Sequence, residues 1–481
     1  MKLAKLLEGV TLTQSGISRD VQITSVSYDT RNLQPGALFV ALSGYKTDGH
    51  RYIAEALEKG AAAVLCQTPP EANGPWLVCQ DTRAALATVS ANWFGHPAQR
   101  MKLIAVTGTN GKTTTTYLMQ EVLECCAGAT VGLIGTNRNM IGGESIPATR
   151  TTPESYDLQE LLCRMADAGC THVVMEVSSH ALVLHRVDGL QFAAGIFTNL
   201  TADHLDFHRT MEAYRDAKGR LFEQTDLAVL NLDDTAGRYF NEMISCPKLT
   251  YSENKNEADL TAKNIRLFPE RVEFEAVTLD GIGRVRLPIP GGFSIYNALG
   301  VIACAVGLGL PLTDVTAALA GVHGVKGRVE VVPVPAPYTV LIDYAHTPDA
   351  LENILTTVRP LAENRLICLF GCGGDRDRSK RPVMGAIAAD LADFVIVTDD
   401  NPRTEQPEAI IRDILGGMEG TQTPYVVQSD RRTAIRYALS QGQPGDVILL
   451  AGKGHETYQE INGVPYHLDE REEIEDFFRR M

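Results

Sequence analysis

The segment KLIAVTGTNGKTTTTYL, residues 102–118, places a short apolar run before a glycine-containing loop and a run of hydroxyl residues. The apolar run predicts a buried strand over 102–107, and the residues after the loop predict a helix that begins near Lys112. Glycines in such a loop let backbone N–H groups surround phosphate oxygens, and the helix N-terminus adds its positive end. The segment therefore predicts a nucleotide-binding α/β domain.

Each polar position of this loop has a predicted role toward ATP. Lys112 is placed to reach the β- and γ-phosphates, and the Thr113 hydroxyl is placed to bind Mg²⁺. The usual phosphate-loop pattern has glycine where this chain has Val106, so the match is to a variant that carries Gly108. The loop alone leaves kinases, ATPases and ligases open. The predicted ATP-binding residues are Gly108, Thr109, Asn110, Gly111, Lys112, Thr113 and Thr114.

Strand and helix patterns alternate along all 481 residues, which is a length typical of about three domains. We predict an α/β protein with a small N-terminal α/β domain (1–98), a central parallel-sheet domain with the phosphate loop (99–328) and a Rossmann-like C-terminal domain (329–481). The apolar run at 301–312 is too short to span a bilayer and predicts a buried helix. The other buried strands are predicted at 172–176, 195–198, 227–231, 339–343, 366–370, 394–398 and 447–451.

Composition restricts the partners and the compartment. A formal net charge of −15 disfavours binding to the phosphates of nucleic acid. Glu8 interrupts the apolar residues near the N-terminus, which argues against a secretory signal. The ten cysteines form no pair of CxxC motifs, so they predict no zinc site and fit a reducing cytoplasm. We expect a cytoplasmic enzyme without nucleic-acid or membrane partners.

A carboxylate, an imidazole and an amine follow the central strands. Glu176 ends the strand of MEVSSH, His204 lies in TNLTADHLDFH, and Lys218 lies in YRDAKGRLF. The first two could hold a second Mg²⁺, although this ion prefers oxygen ligands and a single histidine is more often a packed residue. A lysine in such a helical segment is ordinarily solvated. In a metal-rich site, however, the Lys218 amine can capture CO₂ and become a carbamate.

The loops after the C-terminal strands carry both charges. Arg376 and Arg403 supply guanidinium groups, and Asp400 and Glu456 supply carboxylates. A zwitterionic amino acid requires this combination, although one such loop alone could be ordinary turn chemistry. Asp343 could accept ribose hydroxyls and Asn297 could meet an adenine.

The motifs GTNGKTTT, TTPE (151–154), EVSSHAL, TNLTADHLDFH, DYAHTPD, GGDRD with KRP, DNPR and AGKGHE occur in this order. Together they resemble the Mur ligases, and the resemblance covers nearly the whole chain. It implies a monomer that uses ATP and Mg²⁺ to join meso-diaminopimelate to UDP-N-acetylmuramoyl-L-alanyl-D-glutamate in peptidoglycan precursor synthesis. A folylpolyglutamate synthase-type ligase and a non-catalytic nucleotide-binding protein are the rival interpretations.

The resemblance implies a position for each substrate. Residues 28–31 (YDTR) match the uridine loop, with Thr30 where serine is commoner, and Tyr45, Lys46 and Thr47 match the next nucleotide loop. Leu184 stands where some members have a glutamine that touches substrate. The residues matched to the UDP-muramoyl dipeptide are Tyr28, Thr30, Thr151, Thr152, Ser178 and Arg186.

The resemblance also assigns the catalytic centre and the acceptor site. Lys218 matches a carbamylated lysine, and it joins Thr113, Glu176 and His204 as a predicted Mg²⁺ ligand. Arg403 matches an arginine that accompanies meso-diaminopimelate rather than L-lysine, the alternative acceptor. The further implied ATP contacts are Asn297, Arg328 and Asp343, and the implied acceptor contacts are Arg376, Asp400, Asn401, Pro402, Arg403, Gly452 and Glu456.

Overall fold

The computed structural model describes residues 1–44, 47–70, 74–322 and 324–480. Contacts between Cα atoms divide the chain into two compact units. Unit 1 contains Met1–Tyr251, Glu257–Asp259 and Ala303–Leu310, and unit 2 contains the other described residues. The predicted nucleotide-loop residues Tyr45 and Lys46 lie outside the described residues.

Unit 1 contains two sheets. In the first, the order is β1-β5-β4-β3-β2, with β1 antiparallel to β5 and the other neighbours parallel. In the second, six parallel strands run in the order β13-β12-β11-β6-β10-β7, followed by antiparallel β8 and β9. The strands are β1 (Leu12–Ser15), β2 (Ser25–Ser27), β3 (Ala37–Val40), β4 (Ala63–Cys66), β5 (Trp76–Cys79), β6 (Lys102–Thr107), β7 (Val131–Ile134), β8 (Asn139–Ile141), β9 (Glu144–Ile146), β10 (His172–Glu176), β11 (Ala194–Phe197), β12 (Ala228–Asn231) and β13 (Lys248–Ser252).

The helices of unit 1 bury apolar faces against these sheets. In α5, Leu158, Leu161, Leu162 and Met165 recur at helical spacing and pack with strands β6 and β10 in one core. The helices are α1 (Leu3–Leu6), α2 (Ile53–Glu58), α3 (Thr82–Phe94), α4 (Lys112–Ala127), α5 (Ser155–Asp167), α6 (Ser179–Val183), α7 (Leu205–His208), α8 (Met211–Gly219) and α9 (Thr235–Met243).

Unit 2 contains three antiparallel strands in the order β14-β15-β16, a hairpin β23-β24 and a six-stranded sheet in the order β17-β18-β22-β19-β20-β21. Only β17 is antiparallel in the six-stranded sheet, and apolar cores cover both of its faces. The strands are β14 (Leu260–Phe268), β15 (Arg271–Thr278), β16 (Gly281–Leu287), β17 (Glu330–Val332), β18 (Thr339–Asp343), β19 (Leu366–Phe370), β20 (Phe394–Val397), β21 (Tyr425–Val427), β22 (Val447–Ala451), β23 (Tyr458–Ile461) and β24 (Val464–His467).

The remaining helices are mostly in unit 2, where α12 to α15 connect strands of the six-stranded sheet. They are α10 (Phe293–Gly307), α11 (Leu312–Ala320), α12 (Pro348–Val358), α13 (Lys380–Leu391), α14 (Pro407–Leu415), α15 (Arg431–Gln441) and α16 (Glu470–Arg479). No helix among the described residues is long and apolar enough to cross a membrane.

The predicted α/β class is confirmed, and the buried strands lie within a residue of their expected bounds. The prediction of one buried helix over 301–312 was wrong. Helix α10 ends at Gly307, and α11 begins only at Leu312. Glycine is a poor helix former, and Pro311 lacks the N–H that would continue the first helix, so the apolar run breaks there.

Candidate active site

The loop between β6 and α4 requires glycine at residue 108. Gly108 has φ of 150°, and a Cβ at this position would lie 1.9 Å from the Thr198 hydroxyl oxygen. Asn199 fixes the loop, since its carbonyl accepts from Thr109 N at 2.8 Å and its side chain accepts from Asn110 N at 2.9 Å. These contacts order the loop at the N-terminus of α4, where backbone N–H groups can bind an anion.

Two lysines donate to the same carbonyl oxygen of this loop. Lys112 Nζ lies 2.9 Å and Lys218 Nζ lies 2.8 Å from Gly108 O. Lys218 is 1% exposed, and its Nζ also lies 4.5 Å from the centre of the Tyr214 ring. Burial, together with the charge of Lys112, holds the pKa of Lys218 well below its ordinary value. Burial therefore favours the neutral form of the Lys218 amine beside the phosphate loop.

Glu176 brings two predicted metal ligands together. Its carboxylate is buried at the end of β10, and Oε1 accepts from the Thr113 hydroxyl at 2.9 Å. Thr136 also binds it, through N to Oε1 at 2.8 Å and through its hydroxyl to Oε2 at 3.1 Å. Sequence reasoning missed Thr136, although its position just after β7 was a usable signal. The oxygen donors of Thr113 and Glu176 fit the preference of Mg²⁺.

His204 is half exposed and lies near the same aromatic group as Lys218. Its ring centre is 6.2 Å from that of Tyr214 and 4.9 Å from that of His180. The described part of the chain holds no cluster of three or more His, Cys, Asp or Glu side chains that could bind a metal ion. The predicted Mg²⁺ site depends on a threonine and a modified lysine, so its composition stays a prediction.

Four residues matched to the muramoyl dipeptide lie together around Glu176. The Thr151 hydroxyl is 3.0 Å from that of Thr136, which itself binds Glu176, and the Thr152 hydroxyl donates to Glu176 O at 2.9 Å. Ser178 N donates to the Thr152 hydroxyl at 3.2 Å, and Arg186 Nη1 donates to Thr152 O at 3.0 Å. The residues matched to the muramoyl dipeptide therefore border the predicted metal ligands.

Three arginines surround one buried carboxylate beside this group. Oε2 of Glu154 lies 3.2 Å from Arg83, 3.5 Å from Arg150 and 3.5 Å from Arg186. The three guanidinium groups outnumber the two neighbouring carboxylates, Glu154 and Asp157, which favours an anionic ligand. Sequence reasoning missed Arg83 and Arg150; the position of Arg150 directly before the predicted contact Thr151 was the available signal.

The predicted uridine loop contacts helix α5. The Tyr28 hydroxyl donates to Asp157 Oδ2 at 2.6 Å, and burial with this bond raises the pKa of Tyr28. Thr30 is buried, and its carbonyl accepts from Lys59 Nζ at 2.8 Å. Both predicted residues thus have structural contacts, and a role toward uridine stays a prediction.

In unit 2, the loops after β20 and β22 meet. The Asn401 amide donates to Glu456 Oε2 at 3.0 Å. Gly452 has φ of 115°, and a Cβ there would lie 2.7 Å from Asp400 Oδ2, so this close approach requires glycine. Asp400, Asn401, Gly452 and Glu456 therefore form one cluster. Pro402, which follows Asn401 in the chain, is also buried.

Arg403 is held by two contacts that leave part of its guanidinium for a ligand. Nε donates to Glu460 Oε2 at 3.0 Å and Nη1 donates to Gly374 O at 2.9 Å, and neither bond uses Nη2. Arg376 is exposed and donates to Asp375 O at 3.3 Å. The structure thus orders Arg403 more firmly than Arg376.

Two of the predicted ATP contacts of unit 2, Arg328 and Asp343, lie at the end of β18. Both oxygens of the buried Asp343 carboxylate accept backbone N–H groups at 2.8 Å, from Val329 and from Ala345. The Arg328 guanidinium lies over the Tyr344 ring, 5.2 Å from its centre. Asn297 is buried on α10. Their assignment to ATP stays a prediction.

Glu405, in the loop between β20 and α14, is expected to stabilise the folded protein in an acid-sensitive way. Hydrogen bonds from Arg381 and Arg378 lower the pKa of Glu405 from 4.5 to about 2. Since the folded form resists protonation, this stabilisation is present above pH 4.5 and is lost as the pH falls toward 2.

We therefore expect Glu405→Gln to show a shallower loss of unfolding free energy between pH 5 and pH 3 than the unsubstituted protein. Urea unfolding at a series of pH values measures this, with the exposed helix residue Glu408→Gln as the control. Equal acid dependence in both variants would contradict the role given to Glu405.

Comparison with known proteins agrees with this geometry. Three family models match the chain: Mur ligase family, catalytic domain (22–94), Mur ligase middle domain (106–305), and Mur ligase, glutamate ligase domain (327–454). A relative from Caldanaerobacter subterraneus subsp. tengcongensis, named UDP-N-acetylmuramoyl-L-alanyl-D-glutamate–2,6-diaminopimelate ligase, is 48% identical and aligns over 99% of this chain and 98% of its own.

Solved structures of Mur ligases are also similar to this chain. One with that ligase name has a TM-score of 0.74 at 33% identity, covering 100% of this chain and 99% of the other. A MurF ligase from Thermotoga maritima in complex with ADP shares the fold, with a TM-score of 0.61 at 19% identity and coverage of 96% and 98%.

Proposed function

Because this chain belongs to the Mur ligase family, we propose that it is an ATP-dependent amide ligase. It adds meso-diaminopimelate to the D-glutamyl γ-carboxylate of UDP-N-acetylmuramoyl-L-alanyl-D-glutamate, in cytoplasmic peptidoglycan precursor synthesis. One observation carries the proposal: Lys112 and Lys218 both donate to Gly108 O in the phosphate loop. In the helix that follows this loop, the Thr113 hydroxyl donates to Glu176.

The first step of the proposed reaction transfers phosphate. An oxygen of the γ-carboxylate attacks the γ-phosphorus of ATP, the bond to the β-phosphate oxygen breaks, and an acyl phosphate and ADP result. Lys112 offsets the charge on the transferring group, and the N-terminus of α4 binds phosphate oxygens. Mg²⁺, when held by Thr113 and Glu176, would supply further positive charge to the phosphates.

The second step forms the amide. The amino nitrogen of diaminopimelate attacks the acyl carbon, the nitrogen loses a proton, and the tetrahedral intermediate expels inorganic phosphate. Water would hydrolyse the acyl phosphate, so the reaction requires a site from which water is excluded. The burial of Glu176, Thr152 and Lys218 supports such a site.

We infer that Lys218 is carbamylated in the active protein. Burial holds the pKa of its amine well below the ordinary value, which favours the neutral form that attacks CO₂. Attack by the neutral amine on CO₂ forms an N–C bond and releases a proton, which converts an uncharged amine into an anionic oxygen donor. This donor would complete the predicted Mg²⁺ ligands Thr113, Glu176 and His204.

We propose the domain division 1–98 for the UDP-substrate domain, 99–328 for the ATP domain and 329–481 for the amino-acid domain. The family-model matches are consistent with this order. We propose Asn297, Arg328 and Asp343 as further ATP contacts, as the resemblance implies.

The acceptor is proposed to be meso-diaminopimelate rather than L-lysine because of Arg403. This guanidinium can pair the second carboxylate of diaminopimelate, whereas lysine would leave it facing an ammonium. The ordered contacts of Arg403 with Glu460 and Gly374 support this role.

We expect Arg403→Lys to lower kcat/KM for meso-diaminopimelate by roughly tenfold to a hundredfold, since a single ammonium cannot replace a planar guanidinium. Initial rates at varied acceptor concentration measure this effect, and Arg412→Ala, an exposed residue of α14, is the control. An unchanged kcat/KM in Arg403→Lys would remove the specificity argument.

An oxygen-isotope experiment tests the proposed chemistry. The UDP-muramoyl dipeptide is prepared with ¹⁸O in the D-glutamyl γ-carboxylate and is converted with ATP, Mg²⁺ and meso-diaminopimelate. An acyl phosphate requires that one ¹⁸O atom appear in the released phosphate. Product formation with unlabelled phosphate would exclude this intermediate, and a folate-specific ligase would form no product.

A further inference from the structure

Lys453 is a fully buried lysine in the middle of the acceptor cluster. Its side chain is 0% exposed, and its Nζ donates to Asn401 Oδ1 at 2.8 Å and to Glu456 Oε2 at 3.0 Å. The Asp400 carboxylate lies 3.7 Å away. A buried ammonium is costly without such partners, so these contacts fix where the charge lies.

These bonds define which atoms of the neighbouring side chains face a ligand. Asn401 Oδ1 also accepts from Glu460 N at 2.9 Å, and its amide nitrogen donates to Glu456 Oε2 at 3.0 Å. Glu456 Oε2 therefore has two donors, while Oε1 has a long contact of 3.5 Å from the Tyr344 hydroxyl. Glu456 Oε1 is the oxygen left to accept a ligand ammonium.

We propose that Lys453 is a positioning residue for the amino-acid acceptor, acting through Glu456 and Asn401 without touching the acceptor itself. The inference rests on the proposed function, which assigns those two residues to the acceptor site. Lys453 offsets one of two neighbouring carboxylates, Asp400 and Glu456. Without it, Glu456 Oε2 and Asn401 Oδ1 would lose the donor that they share, and Glu456 Oε1 would no longer be held in place for the acceptor ammonium.

The test replaces the charge and keeps the apolar stem, in Lys453→Met. We expect KM for meso-diaminopimelate to rise about tenfold to a hundredfold, with KM for ATP and for the UDP-substrate within about twofold. Lys263→Met, on strand β14, is the control for a lost lysine in unit 2.

A double variant separates positioning from general support of the fold. If Lys453 acts through Glu456, adding Lys453→Met to Glu456→Gln should lower kcat/KM by less than about threefold more. The double variant also removes a buried cation together with its anion, so it remains informative if Lys453→Met alone does not fold.

Two results would overturn the inference: an unchanged acceptor KM in Lys453→Met, or independent losses that multiply in the double variant. Failure of the proposed function can be distinguished from failure of this inference. In that case the unsubstituted protein itself would show no turnover that depends on meso-diaminopimelate.

Discussion

Replacing Lys112 by methionine is expected to lower the rate of product formation by about a hundredfold to a thousandfold, the effect of removing one group that stabilises transition-state charge. Lys112 Nζ contacts two carbonyl oxygens of its own loop, Gly108 O and Thr109 O, at 2.9 and 2.8 Å. Phosphates bound in the loop would replace these carbonyls as its partners. The expected loss therefore lies in kcat as well as in ATP affinity.

The measurement is the initial rate at saturating substrates, with a thermal unfolding curve to show that the variant is folded. Lys102→Met is a matched control, because Lys102 is an exposed residue at the start of β6. A folded Lys112→Met protein with normal turnover would remove the phosphate-loop assignment.

Replacing Lys218 by alanine is expected to lower turnover by about a hundredfold, the scale of a lost metal-site contact. Formate or acetate should restore part of this activity, because either anion can supply the oxygen donors of the missing carbamate. The buried position of Lys218, 2.8 Å from Gly108 O, would become a cavity next to the phosphate loop that can admit a small carboxylate.

Rates measured at increasing formate concentration give the test, with Lys112→Met as the variant that formate should not rescue. Thermal unfolding of Lys218→Ala shows whether the protein is intact. A folded Lys218→Ala protein that no small carboxylate activates would contradict the carbamate proposal.

Much of the fold could be predicted from the sequence because buried parallel strands form continuous apolar runs. The bounds of β6, β10, β18, β19 and β22 are those expected from the sequence. The break after Gly307 was missed because an apolar run does not by itself distinguish one buried helix from a helix, a turn and a second helix.

The motifs predicted which residues approach the site but not how they pair. Thr136 and Glu176 are 40 residues apart, and Arg83 and Glu154 are 71 apart, so only the folded chain brings them together. The same holds for Lys453: the motif AGKGHE contains it, but nothing in the sequence distinguishes a buried lysine from an exposed one. The Asn401 and Glu456 contacts give it a role.

The most direct test of the central claim is phosphate release with ATP, Mg²⁺ and UDP-N-acetylmuramoyl-L-alanyl-D-glutamate, with meso-diaminopimelate or L-lysine as acceptor. The account predicts phosphate release that requires the UDP-substrate and an acceptor and strongly prefers meso-diaminopimelate. Preference for L-lysine would contradict the role of Arg403, and no release with either acceptor would contradict the proposed ligase activity.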